Sequence, residues 1–165
     1  MTTCSLKQAG RAAAFACLAS AVAAAATPVW AALGDTVPAR STVNLASAAN
    51  ATHYLLDGGA VRVTQSVDEG GTRLREYVAT ANGKVFAYTW QGPSAPNLDT
   101  LLGRYADDYQ SGAVALHVSG HDGLHAARVA TPNLIVESGG LMRSYIGRAW
   151  LPGALPVGMS EGDLQ

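Results

Sequence analysis

Cysteine is nearly missing from this 165-residue sequence, and the two that occur, Cys4 and Cys17, lie close to its start. Beyond Cys17 no disulfide is available, so a fold there must rest on an ordinary hydrophobic core. Basic runs are missing as well. Arg62, Arg73, Arg75, Arg104, Arg128, Arg143 and Arg148 are separated along the chain, and without a stripe to track a polyphosphate the sequence gives no nucleic-acid surface. Eleven Lys and Arg stand against 12 Asp and Glu, for a net charge of −1. There are no internal repeats and no heptads. No apolar run reaches the ~20 residues that a membrane-spanning helix needs.

Catalytic frames are also missing. No HExxH and no Gly-rich phosphate loop occurs. The segment Glu137-Ser138-Gly139-Gly140 offers a serine on a turn but lacks the Gly-x-Ser-x-Gly frame of a nucleophile elbow. The expectation is therefore that the chain has no catalytic residue and no cofactor.

What is present begins with an export signal. Lys7 and Arg11 precede a charge-free, alanine-rich run from Ala12 to Ala26, which is the order of a charged n-region and an apolar h-region. Val29-Trp30-Ala31 gives the small, bulky, small pattern before a cut, so residues 1–31 read as a cleaved signal peptide, with a cut after Ala26 as the alternative. Ala14, Phe15 and Ala16 do not make a lipobox before Cys17, so no lipid anchor is expected. Cleavage leaves residues 32–165 as one domain of common size. Loss of Lys7 and Arg11 leaves nine basic residues against 12 acidic ones, a charge of about −3. The expected location is outside the cytoplasm, in the periplasm or the medium.

The texture of that domain is glycine-punctuated and largely β. Leu33 to Pro38 reads as an irregular leader, and Arg40 to Asn50 as a short helix, with a strand as the alternative. From Thr52 apolar and polar residues alternate between turn signals at Asp57-Gly58-Gly59, Asp68 to Gly71 and Asn82-Gly83, as in antiparallel strands. Asn82-Gly83 suits a two-residue type I′ loop, because both positions need positive φ. That loop would set Tyr77 opposite Tyr88 and Arg75 opposite Trp90, with Phe86 and Arg73 on the same face. Arg73, Arg75, Tyr77, Tyr88 and Trp90 are thus the candidate binding residues for a partner protein or an apolar ligand, with a cation–π contact between Arg75 and Trp90.

After Gly92, Pro93 and Pro96, Asn97 is placed to cap a helix from Leu98 to about Tyr109, whose apolar stripe is Leu98, Leu101, Leu102, Tyr105 and Tyr109. Gly103 inside it points to close packing against the sheet. Val114–Val118, Leu124–Val129 and Asn133–Glu137 read as strands, Ser138-Gly139-Gly140 as a turn, and Leu141–Trp150 as a returning strand. From about residue 151, prolines and glycines predict an extended strap. The whole is an α+β fold, a meandering antiparallel sheet with one main amphipathic helix packed on it and closure into a barrel as the alternative.

The remaining cluster with ligand chemistry is His117, His121, Asp122 and His125, whose imidazoles and carboxylate suit zinc, copper or nickel. Gly120 and Gly123 argue against the helix that would align them.

Arg75-Glu76-Tyr77-Val78, Val85 to Pro93, Leu101 to Tyr105, Met142-Arg143 and Gly147 to Pro152, in this order and spacing, resemble the exported bacterial family known as domain of unknown function 2844. The resemblance covers nearly all of the chain after the leader. It implies export and supplies no activity, cofactor or catalytic residue. Two positions depart from the family pattern: Asn97, where aspartate is usual, and Leu141, where histidine is usual. Three functions follow as expectations: an exported accessory binding module of the envelope, a metal-binding protein or metal-dependent enzyme using the histidines, or a structural subunit of an envelope assembly.

Overall fold

The computed structural model describes residues 31–37, 52–120, 123 and 126–165. The signal peptide expected over residues 1–31, apart from Ala31, the helix expected over Arg40–Asn50, and His121, Asp122 and His125 lie outside the described residues.

Seven strands form one sheet: β1 (Thr52–Leu56), β2 (Val61–Val67), β3 (Arg73–Ala79), β4 (Val85–Gly92), β5 (Ala126–Ala130), β6 (Ile135–Leu141) and β7 (Ser144–Trp150). Their spatial order is β1-β2-β3-β4-β7-β6-β5, and every pairing is antiparallel. Two meanders, β1 to β4 and β5 to β7, therefore join along the β4–β7 seam. The sheet is open, with β1 and β5 at opposite edges, so it does not close into a barrel.

Between the meanders runs a helical stretch, α1 (Leu98–Leu102), a single 3-10 turn, and α2 (Ala106–Ser119). The Asn97 carboxamide oxygen accepts from the Thr100 amide at 3.1 Å, the cap that the sequence suggests. The helix continues ten residues past Tyr109, so Val114–Val118 is its last part and not a strand. Val114 and Val118 point to solvent, 63% and 81% exposed. Their β propensity yields because the preceding turns are already docked through Leu98, Leu101, Leu102, Tyr105 and Tyr109.

The helix breaks at Gly103, whose φ is +53°. A Cβ there would lie 2.5 Å from the Ala32 side chain, so glycine lets residues 31–37 pass beneath. This segment is part of the core: Leu33 is fully buried, its amide donates to Leu101 O at 2.8 Å, and Gly34 and Asp35 bond to Val85.

The β3–β4 hairpin departs from the two-residue loop in two ways. The Ala79 amide bonds to Lys84 O at 2.9 Å, so the loop spans Thr80 to Gly83, and only Gly83 has positive φ. That change moves the register by two and leaves every facing unaltered. Between Tyr77 and Val78, however, the register slips again: Val78 pairs with Val85, whereas Tyr77 pairs with Ala87. Phe86 is the extra residue of a β-bulge, and beyond it each β4 side chain has changed face. Arg75 therefore stands opposite Thr89, and Leu74 opposite Trp90.

Ser138-Gly139-Gly140 lies inside β6, and the reversal falls at Met142 and Arg143, with φ of +44° and +67°. This is the positive-φ pair of a tight hairpin built from two residues that seldom adopt it. The tail after Trp150 is an irregular strap with 3-10 turns at Pro152–Ala154 and Glu161–Asp163.

The two faces hold separate cores. On one, the helix covers Leu74, Val78, Val85, Tyr88, Trp90, Val136 and Ala149. On the other, strap residues Leu155, Met159 and Leu164 cover Val61, Val63, Tyr77, Phe86 and Trp150.

Candidate functional site: an arginine-lined trough

The strap covers only part of its face. In register across the sheet, the covered row reads Val63, Tyr77, Ala87, Trp150, Ile135 and Ala130. The next row reads Gln65, Arg75, Thr89, Arg148, Glu137 and Arg128, and the outermost Val67, Arg73, Gln91, Ile146, Gly139 and Ala126. The β3 to β7 members of these last two rows line an open trough of about 990 Å³, with Leu164 and Gln165 of the strap also in its lining. Four arginines line it with one lining carboxylate side chain, Glu137, and Glu161 lies 3.9 Å from Arg128. An excess of positive charge in one concavity is thus set into a chain of net charge −1.

Each arginine is held differently. Glu137 accepts from Arg128 Nη1 at 2.7 Å and from Arg148 Nε at 2.6 Å. Both guanidiniums also lie over the Trp150 ring, at 5.9 Å and 5.0 Å from its centroid. Arg148 Nη1 donates to Glu161 O at 2.6 Å. Arg75 Nε donates to Gln65 Oε1 at 3.0 Å, and its Nη1 to Gln165 O. Arg73 is exposed and has no acceptor among the described residues. The Glu137 end of the trough is partly neutralised, and the Arg73 end keeps its positive charge.

The five expected binding residues do not share one face. Arg73, Arg75 and Tyr77 belong to the trough side, while the Phe86 bulge turns Tyr88 and Trp90 to the helix side. Tyr77, Tyr88 and Trp90 are 1%, 0% and 3% exposed, so no aromatic platform forms. Tyr77 donates to Gln165 O at 2.7 Å. Trp90 packs against Gly147, where a Cβ would come within 2.3 Å of the ring. The expected Arg75–Trp90 stacking is replaced by Arg128 and Arg148 on Trp150.

Beneath the helix, Tyr88 and Glu76 form a buried polar pair. The Tyr88 hydroxyl lies 2.7 Å from Glu76 Oε2 and also contacts Ala31 O. Burial pushes the Glu76 carboxyl above the usual carboxylate range, and burial beside Glu76 pushes the Tyr88 phenol up. The Tyr88 hydroxyl has one proton, so at any moment it donates either to Glu76 Oε2 or to Ala31 O. Of the histidine cluster, His117 sits in the last turn of α2. Among the described residues no group of three metal-ligating side chains occurs.

Arg128, Glu137 and Arg148 are the trough residues that sequence reasoning passes over. Their alternation in strands marks a common side, but only the register across three strands brings them together.

The fold and the trough define an open-sheet α+β domain with a basic concave face. Residues 29–164 match the family model for protein of unknown function DUF2844, and the chain belongs to that family. No curated protein and no solved structure matches it.

Proposed function

We propose that this chain is an exported, non-catalytic binding module of the bacterial envelope, and that it holds an anionic group of its partner in the arginine-lined trough. The observation that carries the reading is the convergence of Arg73, Arg75, Arg128 and Arg148 on one open concavity. Guanidinium groups match carboxylate and other oxyanions with paired hydrogen bonds. Glu137 supports binding over acid–base chemistry, because both its oxygens are engaged in orienting Arg128 and Arg148. Export is supported by Lys7, Arg11 and the apolar run that follows. The cut was expected after Ala31 with Ala26 as the alternative, and the contact of Tyr88 with Ala31 O and a family match that starts at residue 29 support the alternative.

Titration calorimetry with citrate tests the site. Binding that weakens with salt and falls about tenfold in Arg73→Ala, equivalent to ~1.4 kcal/mol, is expected. No heat from citrate, or equal binding by the variant, defeats the reading. Mass spectrometry of the exported protein should show an N-terminus at Thr27, and an uncut cytoplasmic chain would remove the export half of the proposal.

A further inference from the structure

We infer that the end of the β6–β7 hairpin, Leu141 to Ile146, is a docking tip that enters the surface of an anionic lipid bilayer. The inference does not depend on the trough. β4 stops at Gly92, opposite Tyr145, and β5 begins at Ala126, opposite Gly139. Leu141 to Ser144 therefore project beyond the strands on either side. Leu141, Met142, Tyr145 and Ile146 are 56%, 92%, 39% and 57% exposed. Four large apolar side chains gathered on one projecting end need an explanation that scattered ones do not.

The turn itself favours display over stability. The three turns of the first meander place glycine at positive φ, at Gly58 and Gly59, Gly71 and Gly83, beside Asp57, Asp68, Glu69 and Asn82. Here Met142 and Arg143 take that region instead, where an Asn-Gly pair would sit without strain. Backbone strain of this kind gathers at sites where the side chains have a task.

Shape and chemistry favour lipid over a protein partner. Leu141 and Ile146 lie on the trough face, Tyr145 lies on the opposite face against Gly140, and Met142 is at the apex. A protein surface meets one side of such an end, whereas a fluid medium closes around all of it. Arg143 is exposed with no acceptor among the described residues, so its guanidinium is available to lipid phosphates beside an inserted Met142. Tyr145 brings the ring and hydroxyl that favour the boundary between headgroups and acyl chains. The acidic β2–β3 turn, Asp68 and Glu69, is at the same end of the sheet but three strand spacings away, about 14 Å. That exceeds the ~10 Å over which salt screens a charge.

The test is co-sedimentation of the full exported domain with phosphatidylglycerol vesicles, with phosphatidylcholine vesicles as the uncharged control. Phosphatidylglycerol should retain the parent, and phosphatidylcholine should retain it about fivefold less. Met142→Asn combined with Arg143→Gly should lower retention at least about tenfold while raising the melting temperature, because the strain is removed. Met142→Leu should keep retention, and Met142→Gln should lose about threefold with no change in melting. Arg73→Ala should leave retention as it is. No retention of the parent, or equal retention of the double variant, overturns the inference. Loss in Arg73→Ala with none in the double variant moves lipid binding to the trough, so the inference falls and the anion site stands. A parent that vesicles do not retain, but that forms dimers lost in the double variant, makes the tip a contact between copies and also overturns it.

Discussion

The two faces of the sheet are built from the same strands and end differently. On the helix face, α1 and α2 seal the centre, and the buried acidic group in it, Glu76, is answered by a buried hydroxyl. On the strap face, an irregular segment covers the row through Tyr77 and Trp150, and the next two rows remain open with four arginines. A helix brings a continuous apolar stripe to a sheet, whereas a strap brings single anchors such as Leu164 and its own carbonyl oxygens. The covering element decides which face is core and which is site.

The largest way to break this contrast is Trp150→Ala. Trp150 is 1% exposed, anchors the strap-side core and carries Arg128 and Arg148 on its ring. We expect a loss of about 3–5 kcal/mol, read from the urea midpoint. A loss below about 1 kcal/mol would mean that the strap face contributes little packing.

A middle-sized effect concerns the helix face. Folding holds the Glu76 proton above the pH at which an unfolded glutamate releases it, about 4.3. The contribution of Glu76 to stability is therefore fully present below that pH and is lost as pH rises through the raised folded value. Urea midpoints across pH should show this decline, and Glu76→Gln should flatten it. A decline that persists in Glu76→Gln would assign it to another group.

The smallest effect is expected at Arg73. It is exposed and makes no ion pair among the described residues, so Arg73→Ala should change stability by no more than about 0.5 kcal/mol while it weakens anion binding. A larger loss would make Arg73 part of the fold and blur the distinction between site and core.

How far this contrast was legible varies by element. Alternation revealed the strands from Thr52 to Gly92, and Asn97 announced the start of the helix, because these signals are local. The end of the helix was hidden, since Val114 and Val118 favour strands and tertiary docking of the preceding turns overrides that preference. The candidate site was half legible: Arg73 and Arg75 lie on the trough. Tyr88 does not, and Trp90 lines it but belongs to the helix-side core, because no local signal marks Phe86 as a bulge, and one extra residue exchanges the faces. Leu33 looked like leader, and only the pass beneath Gly103 shows that it is core.

The seam between β4 and β7 bears on how the molecule forms. Within each meander the strands are joined by short loops, so their pairings are local in sequence and quick to make. Tyr145 on Gly92 and Trp150 on Ala87 join residues far apart in the chain, and such closures are the slow ones. Arg73 and Arg75 belong to the first meander, and Arg128, Glu137 and Arg148 to the second. Neither half has a trough by itself, and the four arginines come together only when the seam closes. In the proposed function, affinity for an anion is thereby reserved for chains that have finished folding.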